Sequence, residues 1–209
     1  MKKTRKLFVI VFICYSLLAT AQEYINKGMQ RMDSLKLAIK TAHSDTAQIN
    51  LLNQLAQQYI DLNFLSSADS TARQALQIAD RFNYPKHKGD SYNKIGLTYL
   101  TINAVDSART YFIKALEEDK RSKNRYLYIK HLGNIGICYN LELKFDQALN
   151  CQKSALRLAE LFKEKQVLPF CYNNIGLVYI NRARYKEALA YLPNRLLLTQ
   201  TIVIKTVNT

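Results

Sequence analysis

Residues 92–115 read YNKIGLTYLTINAVDSARTYFIKA, and the spacing within this stretch decides the fold. Tyr92, Ile95, Gly96 and Tyr99 stand at i, i+3, i+4 and i+7, one face of a helix, and Ala108, Phe112 and Ala115 make the matching face of a second helix. Asn103 stands between them, at a turn where asparagine tolerates a left-handed backbone. The stretch predicts two helices joined by a short turn. A glycine inside a helix costs roughly 1 kcal/mol against alanine, so Gly96 needs a packing reason, and a crossing of the two helices supplies one.

Working outward, a shift of 40 residues brings four segments into register without a gap. Ala56, Gly96, Gly136 and Gly176 form one column of small residues, and Ala68, Ala108, Ala148 and Ala188 form a second. Ala75, Ala115 and Ala155 make a third. Large residues keep step with them: Leu52, Tyr92, Leu132 and Tyr172; Leu55, Ile95, Ile135 and Ile175; Tyr59, Tyr99, Tyr139 and Tyr179. Asn63 repeats the turn position of Asn103. A single helix pair cannot bury its apolar face alone, so pairs in register must stack. The fold class is therefore all-α, a solenoid of helix pairs.

These residues resemble the tetratricopeptide repeat: an aromatic or Leu, then Ile-Gly, then Tyr in the first helix, followed by Ala, an aromatic and Ala in the second. The resemblance covers about residues 45–192 and implies that the all-α solenoid is right-handed. The period of 40 exceeds the commoner 34, and it is similar to the lengthened repeats of bacterial signalling proteins and peptide-binding regulators. The closing proline of the usual repeat is missing; Pro85 and Pro169 fall in loops leading into the next first helix.

The ends depart from the register. Lys2, Lys3, Arg5 and Lys6 precede an apolar run from Leu7 to Ala19 that closes on Ala19-Thr20-Ala21, the layout of an export leader (residues 1–21) cleaved after Ala21. At about 13 residues the run falls short of the roughly 20 that span a bilayer, so the mature chain is expected to have no transmembrane span and to be periplasmic or secreted. Residues 22–44 carry Ile25, Met29, Met32, Leu35, Leu37 and Ile39 at helical spacing and overlay a second helix, which predicts an N-terminal capping helix, with Asp45 as the N-cap of the next. Past Leu192, Arg195 stands where the third alanine is expected and Pro193 interrupts the helix; residues 193–209 are expected to be an atypical, mobile tail.

Removing the leader takes the balance from 30 basic and 16 acidic residues to 26 and 16, a moderately basic chain. The densest cluster is Lys120, Arg121, Lys123, Arg125 and Lys130 with Tyr126 and Tyr128 interleaved. That is a pattern a single-stranded nucleic acid would want, and it equally suits a solvated loop, the reading preferred here. The mature chain keeps Cys138, Cys151 and Cys171, an odd number without CxxC spacing, which argues against a disulfide framework or structural zinc. The register puts Cys138 and Cys171 at small buried positions. His43, His87 and His131 have no ligand-spaced neighbours, and no phosphate loop or nucleophile–base set is present. No cofactor, metal, small-molecule substrate or catalytic residue is expected.

By resemblance, the first helices line a concave face that holds a protein or peptide. The register places Gln57, Ile60, Leu97, Leu100, Ile137, Asn140, Leu177 and Ile180 on that stripe, with Asn53, Asn93 and Asn173 one turn earlier. Six of the eight stripe residues are apolar, and the amides can both donate to and accept from a peptide backbone. The chain reads as a non-catalytic, exported peptide-binding scaffold. The alternative is the truncated sensory half of a bacterial signal-transduction protein, resembling the periplasmic repeat domains of sensor kinases or regulators.

Overall fold

The structure, a computed structural model, describes the backbone of residues 2–192 and the side chains of residues 20–192. The tail expected at residues 193–209 lies outside the described residues. The elements are α1 (Lys2–Lys40), α2 (Asp45–Asp61), α3 (Leu65–Arg81), α4 (Pro85–Thr101), α5 (Val105–Ser122), α6 (Arg125–Leu141), α7 (Phe145–Leu161), α8 (Leu168–Asn181) and α9 (Tyr185–Tyr191), with a 3-10 turn (Lys165–Val167) ahead of α8. Among the described residues there is no strand, and no helix is long and apolar enough to cross a membrane. The predicted all-α solenoid of helix pairs is what forms: α2–α3, α4–α5, α6–α7 and α8–α9.

The turns show why the spacing is so regular. A left-handed residue recurs every 20 positions, at Asn63, Asn83, Asn103, Lys123, Leu143, Lys163 and Ala183, with φ between 50° and 64°. Each is followed by the same closing bond, in which the next residue's N–H reaches back five positions: Phe64 to the carbonyl of Tyr59 (2.8 Å), Ala104 to Tyr99 (2.9 Å), Lys144 to Tyr139 (2.9 Å) and Arg184 to Tyr179 (2.8 Å). This is the Schellman closure that satisfies a helix's last carbonyls. The turns between pairs close in the same way, through Tyr84 to Ala79 (2.9 Å), Asn124 to Asp119 (3.1 Å) and Glu164 to Ala159 (2.8 Å). A 40-residue repeat is thus two 20-residue units with like punctuation.

Helix starts correct two sequence expectations. Ser44, not Asp45, caps α2, its hydroxyl accepting from the N–H of Ala47 at 3.2 Å, while Asp45 sits in the first turn. Pro85 and Pro169 lie inside the first turns of α4 and α8, where a missing N–H is harmless.

At each crossing, residue volumes are matched across the pair. A Cβ on Gly96 would lie 2.7 Å from the Phe112 ring, one on Gly136 would lie 2.6 Å from Gln152 Nε2, and one on Gly176 would lie 2.6 Å from Leu192 Cγ. The corresponding position in the first pair is Ala56, and there the facing residue is Ala72, both fully buried in one cluster with Ile95. Glycine appears where the residue 16 positions later is large. The alanine columns at 68, 108, 148 and 188 and at 75, 115 and 155 have no exposure, so the helix backbones meet there.

Helix α1 packs on α2 by a narrower face than its composition predicts. Gly28, Met32, Leu35 and Ile39 turn inward, with Met32 and Leu35 joined to Leu55, whereas Ile25, Met29 and Leu37 are exposed. A four-residue stripe is all that one neighbouring helix can cover.

Candidate functional site: the concave groove

Which face is concave follows from the packing. The backbones of first helices approach one another in succession, α2 on α4, α4 on α6 and α6 on α8, while those of α3, α5, α7 and α9 stay apart and meet only through long side chains, as where Arg73 of α3 donates to the Tyr111 hydroxyl of α5 at 3.3 Å. The layer whose helices approach most closely lies at the inner radius of the stack, so the first helices line the groove.

The residues expected on that groove divide by burial. Asn173 and Leu177 are exposed, and Gln57, Ile60, Leu97, Leu100 and Ile137 are half-buried. Asn53, Asn93, Asn140 and Ile180 are buried. Leu97 and Leu100 pack against the cluster of Ala108, Phe112, Ile135 and Cys138, and Ile180 belongs to the cluster of the last pair. The apolar stripe is therefore in good part the seam between repeats.

The asparagine column has more than one role. Asn93 accepts at Oδ1 from Asn134 Nδ2 at 2.8 Å, a buried bond that ties α4 to α6. Asn53, 1% exposed, has no protein partner at either Nδ2 or Oδ1. It lines a cavity of about 240 Å³ with Arg31, Gln54, Gln57, Gln58, Asp61, Asp90 and Lys94, between α1, α2 and α4. Here Lys94 Nζ donates to Gln57 Oε1 at 3.1 Å and lies 3.9 Å from Asp90 Oδ1, and Gln57 Nε2 donates to Asp61 Oδ1 at 2.8 Å. Burial pulls the Lys94 ammonium below its ordinary value, with Asp90 opposing. The cavity offers paired charges and an amide with donor and acceptor both free, a chemistry suited to peptide groups.

Sequence reasoning missed Lys94 and Asn134, although both stand one position after the asparagine column and could have been found as a second polar column with Gln54 and Asn174. Cys138 and Cys171 are buried as the register predicts, and burial pushes each thiol up to about 11. Among the described residues no group of three or more His, Cys, Asp or Glu side chains could hold a metal.

Two stretches match tetratricopeptide-repeat profiles, residues 89–121 and residues 171–194. No curated protein matches the chain significantly. Among solved structures the fold is similar to a Rap protein complexed with Competence and Sporulation Factor (TM-score 0.69, 18% identity, 80% of this chain and 48% of that one). It is also similar to aspartyl phosphate phosphatase F from Bacillus subtilis (0.67, 20%, 79% and 46%). A putative kinesin light chain of Podosopora anserina with nearly identical TPR-like repeats matches over 92% of this chain and 94% of its own (0.59, 13%). The chain spans about half the length of the first two. The 89–121 match falls on α4–α5 and the 171–194 match on α8–α9, with the same helix-pair unit repeated between them, so the chain carries tetratricopeptide repeats in these stretches.

Proposed function

We propose that the chain is a non-catalytic scaffold that holds a peptide segment of a protein partner in the groove of α2, α4, α6 and α8. The observation that carries this reading is Asn53, an almost fully buried amide on the inner layer whose donor and acceptor are both unclaimed. Leaving a buried polar group unpaired costs about 1–3 kcal/mol, and a bound peptide backbone would satisfy both atoms. Asn173 and Leu177 extend the contact at the other end of the groove, where both are exposed.

The reading includes export with cleavage after Ala21. In its support, residues 20–27 of α1 are exposed and its packing on α2 begins at Gly28, so cleavage would remove none of the side chains described in that contact. Intact mass of the protein from the producing cell checks it, since a retained Met1 excludes cleavage.

For the groove, the test is affinity capture from an envelope extract with the wild-type chain, Asn53→Ala, and Asn173→Ala/Leu177→Ala. Asn53→Ala breaks no bond within the protein, so melting should hold or rise while capture falls. Undiminished capture by both folded variants removes the groove reading.

A further inference from the structure

A second cavity lies away from the groove, on the edge of the solenoid where consecutive repeats join. It measures about 340 Å³ and is lined by Asp119, Lys120, Lys123, Asn124, Arg125, Tyr128 and Phe162, from the end of α5, the start of α6 and the end of α7. That volume lies within the range of small-molecule sites.

Its lining pairs cations with rings. The Arg125 guanidinium lies over the Phe162 ring, 4.4 Å from the centroid, and Lys120 Nζ lies 6.0 Å from the Tyr128 centroid. Lys120, Lys123 and Arg125 are exposed, and among the described residues none forms an ion pair, in contrast to Arg121 beside them, which pairs with Glu118. The one acid in the lining, Asp119, is met by His131 beneath, with Nδ1 and Oδ2 2.5 Å apart. Asn124 is committed to capping α6, its Oδ1 accepting from the N–H of Leu127 at 3.1 Å. Three cations without a carboxylate partner among the described residues thus surround two partly covered aromatic rings.

We infer that this edge cavity binds a small aromatic phosphate of the mononucleotide kind, its phosphate held by Lys120, Lys123 and Arg125 and its ring laid against Phe162 and Tyr128. A guanidinium presents its donors in a fork that fits phosphate oxygens, and stacking on Phe162 holds that fork in place before the ligand arrives. A flat ring gains from stacking on an aromatic side chain whatever its hydrogen-bonding edge. A continuous nucleic-acid strand fits less well. Tyr126, the other aromatic of this basic stretch, is not part of the cavity lining, so the rings form one pocket and not a row of platforms.

Calorimetric titration of the full chain with adenosine 5′-monophosphate, adenosine and inorganic phosphate tests the inference. The nucleotide should bind at least ten-fold more tightly than either half alone. Lys123→Ala/Arg125→Ala should weaken it at least ten-fold, and Phe162→Leu several-fold, with melting recorded to confirm that each variant folds. Asn173→Ala/Leu177→Ala should leave nucleotide binding unchanged. Equal binding of phosphate and nucleotide, no effect of a folded double variant, or no binding at all overturns the proposal. So does tighter binding of an oligothymidylate than of the mononucleotide, which would show a strand-binding surface.

Discussion

The imidazole of His131 and the carboxylate of Asp119 lie 2.5 Å apart with both side chains wholly withdrawn from solvent, joining the second helix of one repeat to the first helix of the next. Burial holds the Asp119 carboxyl above its ordinary value, and the hydrogen bond from His131 opposes that rise. The folded chain therefore keeps this proton more readily than the unfolded chain. The stability contributed by Asp119 is whole below its unfolded value, about 4, and is lost as the pH climbs through the raised folded value.

His131→Leu removes the opposing contact and leaves a buried carboxylate unpaired, which typically costs about 3–5 kcal/mol. The loss should be largest near neutral pH and shrink on acidification, as Asp119 takes up its proton. Asp119→Leu/His131→Leu should recover much of it. Thermal melts of the three proteins between pH 4 and pH 8, in the range where carboxyl and imidazole groups ionise, check the prediction; a penalty independent of pH would contradict it.

Gly96 and Phe112 should behave as one unit. Gly96→Ala places a methyl 2.7 Å from the ring, and overpacking of this kind costs about 1–3 kcal/mol. In a Phe112→Ala background, which itself costs about 3–5 kcal/mol, the added methyl should be neutral or favourable, since Ala56 facing Ala72 already packs that way. Additive losses in denaturant melts would mean that the two side chains do not meet.

Leu143 carries a left-handed φ of 58° while the residue is 70% exposed. Leu143→Gly should therefore raise stability by about 1 kcal/mol, because glycine meets no Cβ penalty there and little packing is lost. A fall in melting temperature would show that Leu143 packs more than its exposure indicates.

Asn53 and Asn93 share a column but not an environment, and alanine should separate them. Asn93→Ala strands the buried Nδ2 of Asn134 and should cost about 1–3 kcal/mol, whereas Asn53→Ala has no internal bond to break. Equal melting temperatures would remove the bridging role of Asn93.

The repeating unit was legible in the sequence. Tyr92, Ile95, Gly96 and Tyr99 share a helix face because 3.6 residues make a turn, and the glycine column at 96, 136 and 176 marks a helix crossing by residue type alone. Asn63 and Asn103 betrayed their left-handed turns through residue type; Leu143 and Ala183 adopt the same conformation without any such signal, since the closure of the helix end imposes it on whichever residue stands there.

What only the tertiary structure decided lies between repeats. Asn93 meets Asn134, 41 positions away and so one off the repeat period, while Asn53 in the same column meets no amide. His131, read from the sequence as an isolated histidine, turned out to be paired with Asp119, and part of the apolar stripe proved to be a packing seam. The reason is geometric: a helix face follows from local periodicity, whereas the rotation and translation from one helix pair to the next accumulate from many small packing contacts. A fraction of a turn in that rotation decides whether a side chain faces its neighbour or the groove.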